Sequence, residues 1–136
     1  MSLAYLLDTN VLIDILRGEA IPLRERFRAA AGRVAVSAIS VMELEFGADR
    51  SSDPAANRRK AATLLALTEQ LPFGLAAAEN AGRLRATLMT IGQTIGAYDT
   101  LIAGHARSAG LTLVTNNVRE FGRVPGLAVE NWLADR

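Results

Sequence analysis

Leu3-Ala4-Tyr5-Leu6-Leu7-Asp8-Thr9-Asn10-Val11-Leu12-Ile13 is the stretch on which the fold turns. The apolar run up to Leu7 predicts a strand buried on both faces, as inner strands of parallel sheets are. Asp8 ends that run, and Thr9 to Leu16 continues as a helix that stops near Gly18. The same succession recurs downstream. Arg33 to Ala38 reads as a strand followed by a helix from about Val41 to Ala48, and Leu111 to Thr115 reads as a late strand. Pro22 fits the first turn of a helix bearing Leu23, Phe27 and Ala30, with Gly32 beyond its end. Further helices are expected over Asn57 to Glu69, Ala76 to about Ile91 and Tyr98 to Ala109, the last ended by Gly110. Leu71 to Leu75 and Leu127 to Val129 are expected edge strands, and the polar run Asp49 to Ala55 is expected to be a loop. Strands alternating with helices predict an α/β protein with a parallel sheet covered on both faces.

At 136 residues the chain has the common size of one domain, so residues 1–136 are expected to form a single unit. Half the residues are hydrophobic and 21% are charged, an ordinary globular mixture. No apolar segment reaches the ~20 residues of a membrane span. Asp8 and Asp14 interrupt what would have to be a signal peptide, so the expected location is the cytosol. Cysteine is absent, which excludes disulfides, thiol catalysis and zinc–thiolate sites. The net charge of +1 gives little overall pull on nucleic acid. Its distribution matters more: Lys60 is the only lysine, and arginine's planar fork matches phosphate oxygens.

Asp8, Glu43, Asp99 and Glu120 each fall where a strand or turn is expected to pass into a helix. Taken singly, each has a structural explanation. Asp8 and Asp99 suit helix N-caps, and Ser40 with Glu43 three residues on fits a capping box. Capping, however, does not require acids at corresponding ends of several βα units. The carboxyl ends of parallel strands share one edge, where acids distant in sequence can meet. Asp99 shares a helix face with Ile102, Ala103 and Ala106, and Glu43 is spaced similarly with Phe46 and Gly47. Acids on core-facing stripes need a cation or hydrogen bonds to stay ionised.

An all-oxygen donor set suits a hard ion such as Mg²⁺ or Mn²⁺, and the implied chemistry is metal-assisted phosphodiester hydrolysis. Thr115-Asn116-Asn117 is either a plain turn or a group that hydrogen-bonds an acid, a metal-bound water or a phosphate. Arg17, Arg83, Arg85 and Arg119 are the first candidates for holding phosphates near an acidic pocket. His105, the only histidine, is expected to be structural or exposed, and Trp132 to be core or interface.

At these residues the chain resembles the PIN-domain ribonucleases, specifically the VapC toxins of toxin–antitoxin pairs. The resemblance runs through Leu6-Leu7-Asp8-Thr9-Asn10, Ser37-Ala38-Ile39-Ser40 with Glu43-Leu44, Tyr98-Asp99-Thr100-Leu101-Ile102-Ala103, and Leu113-Val114-Thr115-Asn116-Asn117 with Glu120-Phe121. It implies an α/β/α sandwich with a mostly parallel sheet, a Mg²⁺ or Mn²⁺ cofactor, cleavage of RNA, dimerisation, and inhibition by a VapB-type antitoxin. Asp8, Glu43 and Asp99 match the family's three principal acids. Where many members have a fourth aspartate this chain has Asn116 and Asn117, and Glu120 matches the acid used by a subset. Asn10, Thr115 and Asn117 are candidates for positioning substrate or water.

Three other functions compete. A haloacid dehalogenase-type aspartyl-phosphate phosphatase requires Asp-x-Asp, and here the second position is Asn10. A receiver domain requires a lysine near a late strand, and Lys60 lies mid-chain. A PIN-like module that only binds RNA or protein would fit if the departure at Asn117 had disabled catalysis.

Overall fold

The structure, a computed structural model, describes residues 2–133. Among the described residues five strands form one sheet: β1 (Tyr5–Leu7), β2 (Val34–Ser37), β3 (Glu69–Leu71), β4 (Thr112–Val114) and β5 (Val129–Glu130). All pairings are parallel, in the order β3-β2-β1-β4-β5. The helices are α1 (Thr9–Arg17), α2 (Ile21–Ala29), α3 (Ala38–Asp49), α4 (Pro54–Leu65), α5 (Leu75–Thr90), α6 (Ala97–Ala109) and the one-turn α7 (Val118–Phe121).

The two-residue period of the strands divides the core. Leu7, Val34, Val36 and Val114 point to one face, where they meet Val11 and Leu12 of α1, Leu23 of α2, and Leu64 and Leu65 of α4. Leu6, Ala35 and Leu113 point to the other, against Leu84 and Leu88 of α5 and Ile102, Ala103 and Ala106 of α6. The result is the expected sandwich. A change of face occurs between β1 and β4, and this kind of switch point opens a crevice at the carboxyl ends of strands. Asp8 and Thr115 immediately follow those two strands.

Glycine sets two helix ends and one helix contact. Gly18 and Gly110 adopt left-handed conformations (φ 72° and 68°) and stop α1 and α6. A Cβ on Gly104 would lie 2.6 Å from Ala81 Cα, so α5 and α6 approach through a glycine against an alanine.

Several boundaries differ from expectation. Helix α4 starts at Pro54 because Asp53 caps it, accepting a bond from the Ala56 N–H at 3.2 Å. The expected loop therefore shrinks, and the helix ends at Leu65 rather than Glu69. Strand β3 precedes Pro72, whereas it was expected to run through it to Leu75. Helix α3 begins at Ala38, with the Ser37 hydroxyl accepting from the Ile39 N–H at 3.1 Å. Ser37 is the cap, so the Ser40–Glu43 capping box does not form. His105 is buried as a structural group, 2.8 Å from Ser37 Oγ and edge-on to Phe73; burial lowers its pKa. Trp132 is core, packed edge-on against Tyr5.

Candidate active site

Asp8 anchors the site. The register Leu7 to Val114 continues through a bond from the Asp8 N–H to the Val114 carbonyl, so Asp8 and Thr115 emerge side by side. The Thr115 hydroxyl donates to Asp8 Oδ2 at 2.9 Å. Asp8 occupies the N-cap position of α1 without making a side-chain capping bond. Burial pushes its pKa up, against the Thr115 hydroxyl and the Thr9 N–H, while Glu43 and Glu120 add repulsion.

Glu120 is held from several sides. Asn117 Nδ2 donates to its Oε1 at 2.6 Å, and the Gly96 N–H donates to its Oε2 at 3.0 Å. Asn117 also caps α7, accepting from the Glu120 N–H, and its own N–H donates to Thr115 Oγ1 at 3.0 Å. Thr115 and Asn117 thus link Asp8 to Glu120. Asp99, in the first turn of α6, completes this side. Its pKa is raised to about 7 by burial, by a hydrogen bond to Glu120 that needs the Asp99 proton, and by the charges of Glu120, Asp8 and Glu43.

Glu43 reaches the cluster differently from expectation. It lies within α3, beyond the strand junction, and its supposed companions Phe46 and Gly47 are exposed, Phe46 by 65%. The buried face of α3 is Ser40, Leu44 and Ala48. Glu43 Oε1 accepts a bond from Thr9 Oγ1 at 2.5 Å. Thr9 and the Gly96 N–H were not singled out from sequence, although Thr9 lies between Asp8 and Asn10. Asn10 itself is exposed on α1, and Asn116 turns away to donate to Asp14 Oδ2 at 2.6 Å.

The arginines are spread. Arg17 ends α1, about 12 Å along the axis from its start. Arg83 is exposed on α5 and Arg119 precedes Glu120 on α7. Arg85 lines an apolar groove of about 680 Å³ between α5 and α6, with Phe73, Met89, Ile95, Tyr98 and Leu101.

The donor set fits a hard divalent ion by chemistry. The carboxylates repel one another, and raised proton affinity marks a site in need of positive charge. Among the described residues, no three His, Cys, Asp or Glu side chains are already arranged to hold an ion. What draws them together is the line of hydrogen bonds from Asp8 through Thr115 and Asn117 to Glu120, and from Thr9 to Glu43.

A PIN-domain family model matches residues 5–127, which includes every strand except β5 and all four acids. Over 130 residues the chain is 41% identical to the tRNA(fMet)-specific endonuclease VapC of Shigella flexneri, spanning 96% of this chain and 98% of that protein. The chain belongs to the VapC family of PIN-domain proteins. It is 40% identical over 131 residues to ribonuclease VapC2 of Haemophilus influenzae, covering 96% of this chain and 99% of the relative. The VapC fold is matched in the crystal structure of DNA-bound VapBC from Salmonella typhimurium, with a TM-score of 0.93 and 41% identity over 96% of this chain and 98% of that one. VapBC2 of Rickettsia felis, bound to a DNA fragment from its promoter, matches with a TM-score of 0.90 and 34% identity over 97% and 99% of the two chains.

Proposed function

We propose that this PIN domain, residues 1–136, is a Mg²⁺- or Mn²⁺-dependent endoribonuclease toxin that a VapB-type antitoxin neutralises in the cytosol. The observation that carries the reading is the convergence of acids at the switch point, where Thr115 and Asn117 link Asp8 to Glu120 and Thr9 holds Glu43. Asp8, Glu43, Asp99 and Glu120 would hold the metal; when bound it polarises the phosphate and supplies an activated water. Thr115 fixes the rotamer of Asp8, and Asn117 with the Gly96 N–H fixes that of Glu120. No serine–histidine or cysteine nucleophile is needed, and His105 is engaged in the core away from this chemistry.

The names of the Shigella and Salmonella relatives make initiator tRNA(fMet) the first substrate to assay. Purified protein should cleave RNA with Mg²⁺, leaving 5′-phosphate and 3′-hydroxyl ends, and should stop in excess EDTA. Full activity in EDTA, or cyclic 2′,3′-phosphate products, would overturn the mechanism.

The antitoxin reading is supported by solved VapBC complexes of relatives. A basic side chain from such a partner would satisfy the same negative potential as a metal. A homodimer is also proposed, seated on the apolar α5–α6 groove where Met89 and Tyr98 are exposed.

A further inference from the structure

Thr9 and Ser40 lie on different helices and neither is an acid, yet both are buried polar groups beside the cluster. Thr9 Oγ1 donates to Glu43 Oε1 at 2.5 Å and stands 2.7 Å from Ser40 Oγ. A hydroxyl carries one proton and can accept at two lone pairs. Because the Thr9 proton is given to Glu43, the contact between the hydroxyls acquires a direction: Ser40 donates and Thr9 accepts. The run from Ser40 through Thr9 to Glu43 is then a polarised chain, each bond strengthening the next, that ends on a carboxylate.

Satisfying two buried hydroxyls needs no acid at the end of the chain. A glutamate side chain also loses considerable rotamer freedom when fixed. The Thr9 bond removes that freedom before any ion arrives, which is how a supporting shell prepares a ligand. We propose that Thr9 and Ser40 are positioning residues that aim the Glu43 carboxylate at the acidic cluster. The inference rests on reading Glu43 as a member of the metal-holding set. It gives Thr9 a role distinct from its neighbours: Asp8 faces Thr115, and Thr9 bridges α1 to α3.

The test measures Mn²⁺ binding by electron paramagnetic resonance of the free ion, and Glu43 rotamer averaging by NMR side-chain couplings in metal-free protein. Thr9→Val should weaken Mn²⁺ binding roughly tenfold or more and let Glu43 average, whereas Thr9→Ser should stay within about twofold of wild type. Thr9→Val leaves the Ser40 hydroxyl orphaned and should lower Tm. Adding Ser40→Ala removes that orphan, so the double variant should recover Tm without recovering Mn²⁺ affinity. In a Glu43→Gln background, Thr9→Val should weaken Mn²⁺ binding no further. Recovery of affinity together with Tm, an equal loss in the Gln background, or a single Glu43 rotamer in Thr9→Val would each overturn the proposal. Absence of Mn²⁺ binding by wild type would instead defeat the metal reading, and the rotamer measurement would still decide the role of Thr9.

Discussion

Replacing Asp99 with asparagine should stabilise the metal-free fold at the pH where the wild type is expected to be active. The native state holds the Asp99 proton up to about pH 7, whereas the unfolded chain releases it near 3.8. The raised pKa therefore contributes stability that is fully present below pH 3.8 and is lost as pH rises through about 7. At ~1.4 kcal/mol per factor of ten in proton affinity, that gap has an upper bound of about 4 kcal/mol. The side chain is only half-buried, and solvent screening reduces the figure to roughly 1–2 kcal/mol. Asparagine keeps a donor for Glu120 and cannot ionise. In EDTA the variant should match wild type at pH 4 and exceed it by roughly 3–8 °C in Tm at pH 8, while RNA cleavage with Mg²⁺ is lost. A gain of equal size at both pH values would refute the reasoning, as would a variant less stable than wild type at pH 8.

Thr115→Val removes the donor to Asp8 and should weaken metal affinity or cleavage roughly 10–100-fold, measurable by Mn²⁺ titration and initial rates. His105 is held neutral by burial, so its contribution to stability should fall as pH drops below its unfolded value of 6.5. The difference in stability between wild type and His105→Gln, followed by urea melts from pH 8 to 5, should narrow in that direction; a constant difference would count against the assignment. Gly104→Ala should cost roughly 1–3 kcal/mol through overpacking against Ala81, with urea denaturation as the check. Co-expression with a VapB-type antitoxin encoded by the adjoining reading frame should relieve growth inhibition and yield a stable complex.

Much of the fold could be read from strand ends and glycines. The apolar runs before Asp8 and Thr115 mark inner strands, and Gly18 and Gly110 stop helices by a conformation that other residues rarely adopt. The start of α4 was hidden because Asp53-Pro54 serves equally as a loop or as a cap followed by a first turn. The four-residue α7 is too short to leave a periodic signal. Asp99 could be oriented from its apolar stripe, since Ile102, Ala103 and Ala106 are all fully buried. Glu43 could not, because α3 carries apolar residues on every side and several of them, including Met42 and Phe46, face solvent. Its companionship with Thr9 depends on how α1 crosses α3, a tertiary fact that local periodicity does not encode.

The sheet is bordered by β3, three residues followed by Pro72, and by β5, only two residues long. Such borders offer few main-chain groups to an incoming strand, so strand addition would gain little affinity. Side chains that project from the helices offer a partner more. Main-chain pairing is nearly blind to sequence, whereas side-chain pockets are altered by single substitutions. Among proteins that share this framework, a few helix-surface positions are therefore enough to separate one choice of partner from another.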